Sequence, residues 1–172
     1  MNPPGNRRFS LAARLVLLAL FAVAMAYLEA AAVLYIRKIL GWVPVPRDLT
    51  AADMQRMPSW LILSEQCREA GTIVMLVTLA LLAGATWRER LGAFLYAFAI
   101  WDVFYYVWLY VLLRWPPSLT ARDCLFLIPQ PWLAPVWFPL LASVTMLMIS
   151  LLLFGVGKSK KHETPLSARQ VG

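Results

Sequence analysis

Residues 101–110 read WDVFYYVWLY, an aromatic run that contains a single carboxylate, Asp102. The run lies inside a longer apolar segment, Leu91 to Leu113, which has the length and apolarity of a membrane-spanning helix. Asp102 falls near the middle of this segment, where a charge costs at least about 2.5–3.5 kcal/mol on insertion scales. Some other group must therefore satisfy Asp102, and we expect the rest of the fold to be arranged around it.

The whole chain has the composition of an integral membrane protein. Of its 172 residues, 61% are hydrophobic, and its mean hydropathy is +0.67, whereas soluble domains are about 45–50% apolar. The formal charge of +7 comes mostly from basic residues at segment ends and tails, which is typical of membrane flanks and not of nucleic-acid binding.

The sequence identifies no cofactor and predicts no metal site. It contains no phosphate-binding glycine loop and no paired histidine or cysteine motif. The single histidine, His162, lies in a polar tail, which excludes histidine-based metal chemistry within the membrane.

Apolar segments of spanning length predict an all-α, polytopic membrane bundle of four transmembrane helices within residues 11–157. The segments are Leu11 to Leu40, Leu61 to Ala85, Leu91 to Leu113, and a fourth that begins near Pro135 or Pro139 and ends by Gly157. The charged turn at residues 87–90 makes the second and third segments an antiparallel pair. In the first loop, Thr50 is placed to cap a short interfacial helix.

Prolines interrupt the chain before the fourth span. Pro129, Pro131, Pro135 and Pro139 cannot all lie within one regular helix, because each removes a backbone donor and clashes with the preceding turn. We therefore expect residues 125–132 to form an interfacial or re-entrant segment. Residues 1–10 form a basic cytoplasmic tail in this scheme, and residues 158–172 form a disordered basic tail.

Basic residues predict the orientation of the bundle. More lysines and arginines flank the side that carries both termini than the other side, which favours cytoplasmic termini and, for this class of chain, the bacterial inner membrane. An alternative for the N-terminus is processing after the small-residue stretch at residues 24–26, although the first apolar run is longer than the roughly 7–15 residues typical of a signal peptide.

The position of each polar residue along its span predicts its depth in the membrane, and the polar residues of three spans are predicted to lie close together. At about 1.5 Å per helical residue, the acidic groups of the first two spans fall in the half of the membrane away from the termini, with Asp102 near the midplane. Residues three or four apart share a helix face. The predicted ligand- or ion-binding site is an acidic, aromatic-lined cleft formed by Glu29, Glu65, Arg68, Glu69, Asp102, Tyr105, Tyr106 and, at its mouth, Asp123.

The charges within this cleft do not balance. Glu29, Glu65, Glu69 and Asp102 face one internal guanidinium, that of Arg68, and close like charges in a low dielectric cannot all stay ionised. Either some of the acids are protonated, or a bound cation completes the site. The alternative is purely structural: Glu65 and Arg68 form an ordinary salt bridge at the interface, and Arg37 or Lys38 folds back to neutralise Glu29.

Cys67 and Cys124 are the only cysteines, and the predicted topology puts both on the side away from the termini. A disulfide between them is possible in a bacterial periplasm and would pin the proline-rich segment to the second span. Two cysteines without a spacing motif can equally be small packing residues.

Three kinds of function fit this arrangement. The first is proton- or cation-coupled transport or small-ligand binding, which requires a homo-oligomer or a membrane-protein partner because four spans rarely enclose a path alone. The second is an enzyme that modifies a membrane lipid or isoprenoid, with Asp102 or Glu69 as the catalytic general acid. The third is a structural or assembly subunit whose acids pair with basic residues of a partner.

Overall fold

The computed structural model describes residues 10–43 and 48–159, with side chains as far as residue 155. The chain is mostly helical. Its elements, in order, are α1 (Leu11–Ile39), α2 (Ala51–Gln55), α3 (Ser59–Ala83), α4 (Trp87–Leu113), β1 (Arg122–Phe126), β2 (Trp132–Pro135) and α5 (Trp137–Ser159). The tails predicted at residues 1–10 and 158–172 lie almost entirely outside the described residues.

Within the described ranges, α1, α3, α4 and α5 are long and apolar enough to cross a membrane. This confirms the predicted predominance of helix and the number of long apolar helices. The tight turn at residues 84–86 joins α3 to α4 at the end of the bundle where α1 begins, which we call the turn end. The opposite end carries α2, β1 and β2, and we call it the hairpin end.

Local capping explains where the helices begin. The Ser10 hydroxyl accepts the Ala13 N–H at 3.2 Å and starts α1, and the Thr86 hydroxyl accepts the Glu89 N–H at 3.2 Å and starts α4. Thr50 caps α2, as the sequence predicted. Its hydroxyl accepts the Asp53 N–H at 3.3 Å, while the Asp53 carboxylate accepts the Thr50 N–H at 3.0 Å.

Helix α4 is the central element, since it packs against α1, α3 and α5. At the turn end the contacts are made mainly by small residues, which let the backbones approach closely. The buried residues of this cluster are Leu18, Ala22, Met25, Ala26, Leu76, Ala80, Ala93, Ala97, Trp101 and Phe154. Ser150 of α5 adds a buried hydrogen bond of 2.8 Å to the carbonyl of Gly92.

The proline-rich stretch before α5 forms a two-stranded antiparallel hairpin of β1 and β2. Asp123 pairs with Ala134, and the register shifts between Cys124 and Phe126. The sequence did not predict these strands. The prolines are compatible with them because Pro129 and Pro131 lie in the connection and Pro135 ends β2, where a missing backbone donor is tolerated.

Gly84 is required by the tight turn between α3 and α4. A Cβ at this position would lie 2.4 Å from the backbone nitrogen of Arg90 and 2.7 Å from the carbonyl carbon of Glu89. These contacts are to backbone, so they cannot be relieved by a side-chain rotation.

We expect Gly84→Ala to destabilise the protein by at least about 2 kcal/mol, because the turn must shift to admit the methyl group. Thermal unfolding of the purified protein measures the effect. Gly71→Ala is the matched control, because a Cβ there meets nothing within 4 Å and alanine is the better helix former. Equal unfolding temperatures for Gly84→Ala and the native protein would contradict the prediction.

Candidate functional site

A cavity of about 420 Å³ lies in the hairpin-end half of the bundle. All four long helices contribute to its walls, and α2, β1 and the residues after β1 cover it. Most of its lining is apolar, including Val33, Ile73, Phe98, Trp101 and Met146. The polar lining is concentrated in a few acidic, basic and tyrosine side chains, which is the usual composition of a small-molecule site.

The structure brings the whole predicted set to this one cavity. The residues on its wall include Glu29, Glu65, Arg68, Glu69, Asp102, Tyr105, Tyr106 and Asp123. Their role in binding a ligand stays a prediction. Their positions follow from the depth argument, because residues at similar height on neighbouring helices meet when their polar faces turn inward.

Arg68 of α3 pairs with two carboxylates, Glu65 on the same helix and Glu29 on α1, and the second pair links the two helices. Its Nε donates to Glu65 Oε2 at 2.8 Å, and its Nη1 donates to Glu29 Oε1. The hydroxyl of Thr72 lies 3.4 Å from the second oxygen of Glu29. The partner of Glu29 is therefore Arg68, and the alternative in which Arg37 or Lys38 neutralises Glu29 is wrong in this structure.

Glu69 fastens the hairpin connection to α3. Its carboxylate accepts the backbone N–H groups of Leu127 and Ile128, each at 3.1 Å. One turn away, the Gln66 amide donates to the Leu127 carbonyl at 3.2 Å. Because both oxygens of Glu69 are engaged by backbone donors, this carboxylate is better placed to position the hairpin than to serve as a general acid.

Asp123 lies inside the structure, at the wall of the cavity and not at an open mouth. It is 2% exposed. The Tyr106 hydroxyl donates to its Oδ2 at 3.3 Å, and Arg37 Nη2 lies 3.9 Å from its Oδ1. The Arg37 guanidinium also stacks 4.3 Å above the Trp115 ring.

Burial raises the pKa of Asp123 to about 6, although the positive charge of Arg37 and the hydrogen bonds from Tyr106 and the Cys124 backbone oppose the rise. A carboxyl group that binds its proton more tightly in the folded state stabilises the fold at low pH. That contribution is complete below the unfolded pKa, about 3.9, and is lost as the pH rises through the folded pKa.

We therefore expect the stability of the native protein to fall between about pH 4 and pH 6 relative to that of Asp123→Asn. Thermal unfolding of both proteins across this range tests it, with the difference in unfolding temperature as the readout. In Asp123→Asn, Arg37 is buried beside a neutral group at every pH. The resulting loss of stability is the same at each pH, so it does not affect how the unfolding temperature changes with pH. If the unfolding temperatures of the two proteins change with pH in parallel, the raised pKa of Asp123 is refuted.

Asp102 has a different environment from the other cavity acids. Ser143 of α5, itself 1% exposed, donates to its Oδ2 at 2.7 Å. No guanidinium or ammonium group in residues 10–43 and 48–155 lies within ion-pairing distance of Asp102. The neighbouring Tyr105 hydroxyl forms no hydrogen bond with any described residue. Asp102 and Tyr105 are thus polar groups that a ligand in the cavity can engage.

Of the two alternatives for the cysteines, the structure does not contain the disulfide. Cys67 and Cys124 are both free thiols. Cys67 is exposed because it is two positions from both Glu65 and Glu69, about 200° around a helix whose acidic face turns inward. Cys124 lies on the cavity wall, where burial raises the pKa of its thiol to about 12 and keeps it neutral.

Sequence reasoning missed several residues that complete the site. It considered Arg37 only as an alternative partner of Glu29, whereas this buried guanidinium lies beside Asp123 and is a second internal cation. It also missed Ser143 as the donor to Asp102, and Gln66 and Thr72 as supports on α3. The helix periodicity carried a signal for Thr72, which lies three positions after Glu69 on the same face of α3; the pairing of Arg37 with Asp123 depends on the hairpin and had no such signal.

The carboxylates do not form a metal centre. In the part of the chain that the structure describes, no group of three or more histidine, cysteine, aspartate or glutamate side chains is arranged to hold a metal ion. The acids are instead distributed among separate partners around the cavity.

Comparison with known proteins finds no matching family model, no similar curated protein and no similar solved structure. The class of protein is therefore defined by the fold and the cavity themselves. The chain is a small helical protein with four helices of membrane-spanning length and apolarity around an acidic, aromatic-lined cavity.

The link between Arg68 and its two acids predicts a specific pattern of stabilities. We expect Arg68→Met to lower the free energy of unfolding by about 2 kcal/mol, because Glu29 and Glu65 lose their shared cation while largely buried. Adding Glu29→Gln and Glu65→Gln should restore much of the loss, since uncharged amides tolerate the site. Thermal unfolding measures both variants.

Arg88→Met is the control for that series, because Arg88 is exposed on the first turn of α4. A loss at Arg68 no greater than the loss at Arg88 would show that the buried link contributes nothing to stability.

Proposed function

We propose that this chain is an integral membrane protein of the bacterial inner membrane. It forms a four-helix bundle with both termini in the cytoplasm. We propose further that its cavity binds a small molecule with a positively charged or proton-donating group, as in proton- or cation-coupled transport or ligand binding. The observation that carries the proposal is Asp102, a carboxylate in a largely apolar cavity without a cationic partner among the described residues.

The surface of the bundle supports the membrane location. Large apolar side chains are exposed along all four long helices, for example Leu20, Leu82, Val111 and Leu152. Exposed apolar surface of this extent suits a hydrocarbon solvent. The hairpin and α2 then lie at one membrane interface, where the proline-rich segment needs no spanning helix.

The charge of the cavity favours a cationic occupant. Five carboxylates line it, those of Glu29, Glu65, Glu69, Asp102 and Asp123, against the guanidiniums of Arg37 and Arg68. Arg68 and Arg37 are engaged with three of the acids, and backbone donors satisfy Glu69. Asp102 is left with a single neutral donor, so a cation or a proton compensates its charge best.

The walls near Asp102 suit a cation with an apolar body. Trp101, Tyr105 and Phe98 line the same region, and aromatic faces attract ammonium groups. The volume lies within the range of about 300–1,000 Å³ typical of small-ligand pockets. Under the transport hypothesis a second copy of the chain or another membrane protein completes the path.

Binding of n-octylammonium to the protein in lipid nanodiscs, measured by calorimetry, tests this function. We expect the amine to bind and Asp102→Asn to weaken the binding at least about tenfold, since the variant keeps the side-chain shape and removes the charge. n-Octanol has the same chain without the charge and should bind much more weakly.

Ser143→Ala is the matched control, because it removes the hydrogen bond to Asp102 but keeps the carboxylate; it should retain most of the affinity for the amine. Equal binding of the amine and the alcohol, or unchanged binding in Asp102→Asn, would reject the proposed site.

A further inference from the structure

Apolar clusters lie toward both ends of the cavity. At the turn end, the cluster around Ala22, Leu76 and Ala97 packs below it. At the hairpin end, Leu49, Met54, Met57 and Leu61 form a second apolar cluster that also contacts Cys124 and Leu127. Among the described residues, apolar side chains therefore pack at both ends of the cavity along the bundle axis.

Two sides of the cavity are closed. Helix α4 packs along α1 and α5 and forms the back wall. Between α1 and α3, the Arg68–Glu29 ion pair and the Thr72 hydroxyl bridge the gap. A molecule would have to break these polar contacts to enter from that side.

The remaining side lies between α3 and α5. Both helices line the cavity, α3 through Ile73 and α5 through Ala142 and Met146. Each of them packs on α4, but among the described elements α3 forms no extensive interface with α5 or with α1, and the polar contacts of Arg68 bridge only the α1 side. Toward the turn end α3 closes against α4, where Leu76 and Ala80 join the same buried cluster as Ala93 and Ala97.

The aromatic residues at this side show where the cavity meets the surface. Trp132 and Phe138 both line the cavity, yet they are 51% and 39% exposed. Their rings contact each other with centroids 5.6 Å apart. Above them, the Glu69 link holds the hairpin connection to α3 and sets the upper edge of the gap.

We infer that the cavity opens sideways between α3 and α5, and that its ligand is a membrane-dissolved amphiphile with a cationic head and a hydrocarbon chain. This inference rests on the proposed function and names the class of its ligand. The head lies at Asp102, and the chain passes Ala142 and Ile73 into the lipid. Trp132 and Phe138 sit at the level where aromatic residues accumulate at membrane interfaces.

A bulky residue in the opening should separate long ligands from short ones. We expect Ala142→Trp to weaken binding of n-decylammonium at least tenfold in nanodiscs, because the indole occupies the path of the chain. n-Butylammonium is short enough to lie at Asp102 and should change less than about twofold. Leu141→Trp is the control, since Leu141 is 59% exposed on the same turn and does not line the cavity.

A second variant with its own control, both on α3, tests the same opening if Ala142→Trp fails to fold. Ile73→Trp should discriminate against the long amine in the same way, whereas its neighbour Val74→Trp, 63% exposed and outside the lining, should not. Folding of each variant is checked by its thermal unfolding before binding is measured.

The outcomes separate the two proposals. If the native protein binds both amines through Asp102 but the tryptophan variants weaken both equally or neither, the sideways opening is refuted and the binding site stands. If the native protein binds neither amine, both proposals are refuted. Selective loss of the long amine in both variants supports the lateral route.

Discussion

A carboxylate inside an apolar protein must find a donor or a cation, and this requirement organises the hairpin-end half of the bundle. Four of the five cavity acids join two elements, whereas Glu65 pairs with Arg68 within α3. Glu29 ties α1 to α3 through Arg68, Glu69 ties α3 to the hairpin connection, and Asp123 ties the hairpin to α1 through Arg37. Asp102 ties α4 to α5 through Ser143. Removing the acids would remove the contacts that fix these elements around the cavity.

Different kinds of contact hold the two halves of the bundle together. At the turn end, alanines and Gly92 bring α4 close to its neighbours, and the buried hydrogen bond from Ser150 to Gly92 adds to this close packing. At the hairpin end, apolar packing is joined by polar links from the longer side chains of Arg68, Glu69 and Arg37. The cavity lies among these links.

Much of this arrangement was predictable because helix geometry is regular. The length of the apolar segments predicted the long helices. The fixed rise per residue predicted that Glu29 and Glu65 lie in the same half of the bundle, with Asp102 near its middle. The capping residue Thr50 was visible for the same reason, since a cap acts through its own next turn.

The structure departs from the sequence analysis in the non-helical part of the chain and where the rotation of a helix about its axis determines which residues face inward. Four closely spaced prolines ruled out a helix but did not indicate strands, because the hairpin depends on pairing across its connection. Arg37 was considered only as a partner of Glu29, because its pairing with Asp123 depends on that hairpin. Of the two alternatives for the cysteines, the disulfide is absent because Cys67 faces outward, and residue type alone does not determine the rotation of a helix.

The Glu69 link has a consequence for how this sequence can change. The carboxylate grips the main chain of the connection, and every residue type except proline supplies the N–H groups it needs. The side chain of Ile128, which is 45% exposed, is therefore free to vary without loosening the link, whereas Leu127 also packs against the apolar cluster and Glu69 supplies the carboxylate. Loop grafting or tag insertion between Ile128 and Trp132 would leave the anchoring point intact, which makes this connection the natural place to engineer the protein.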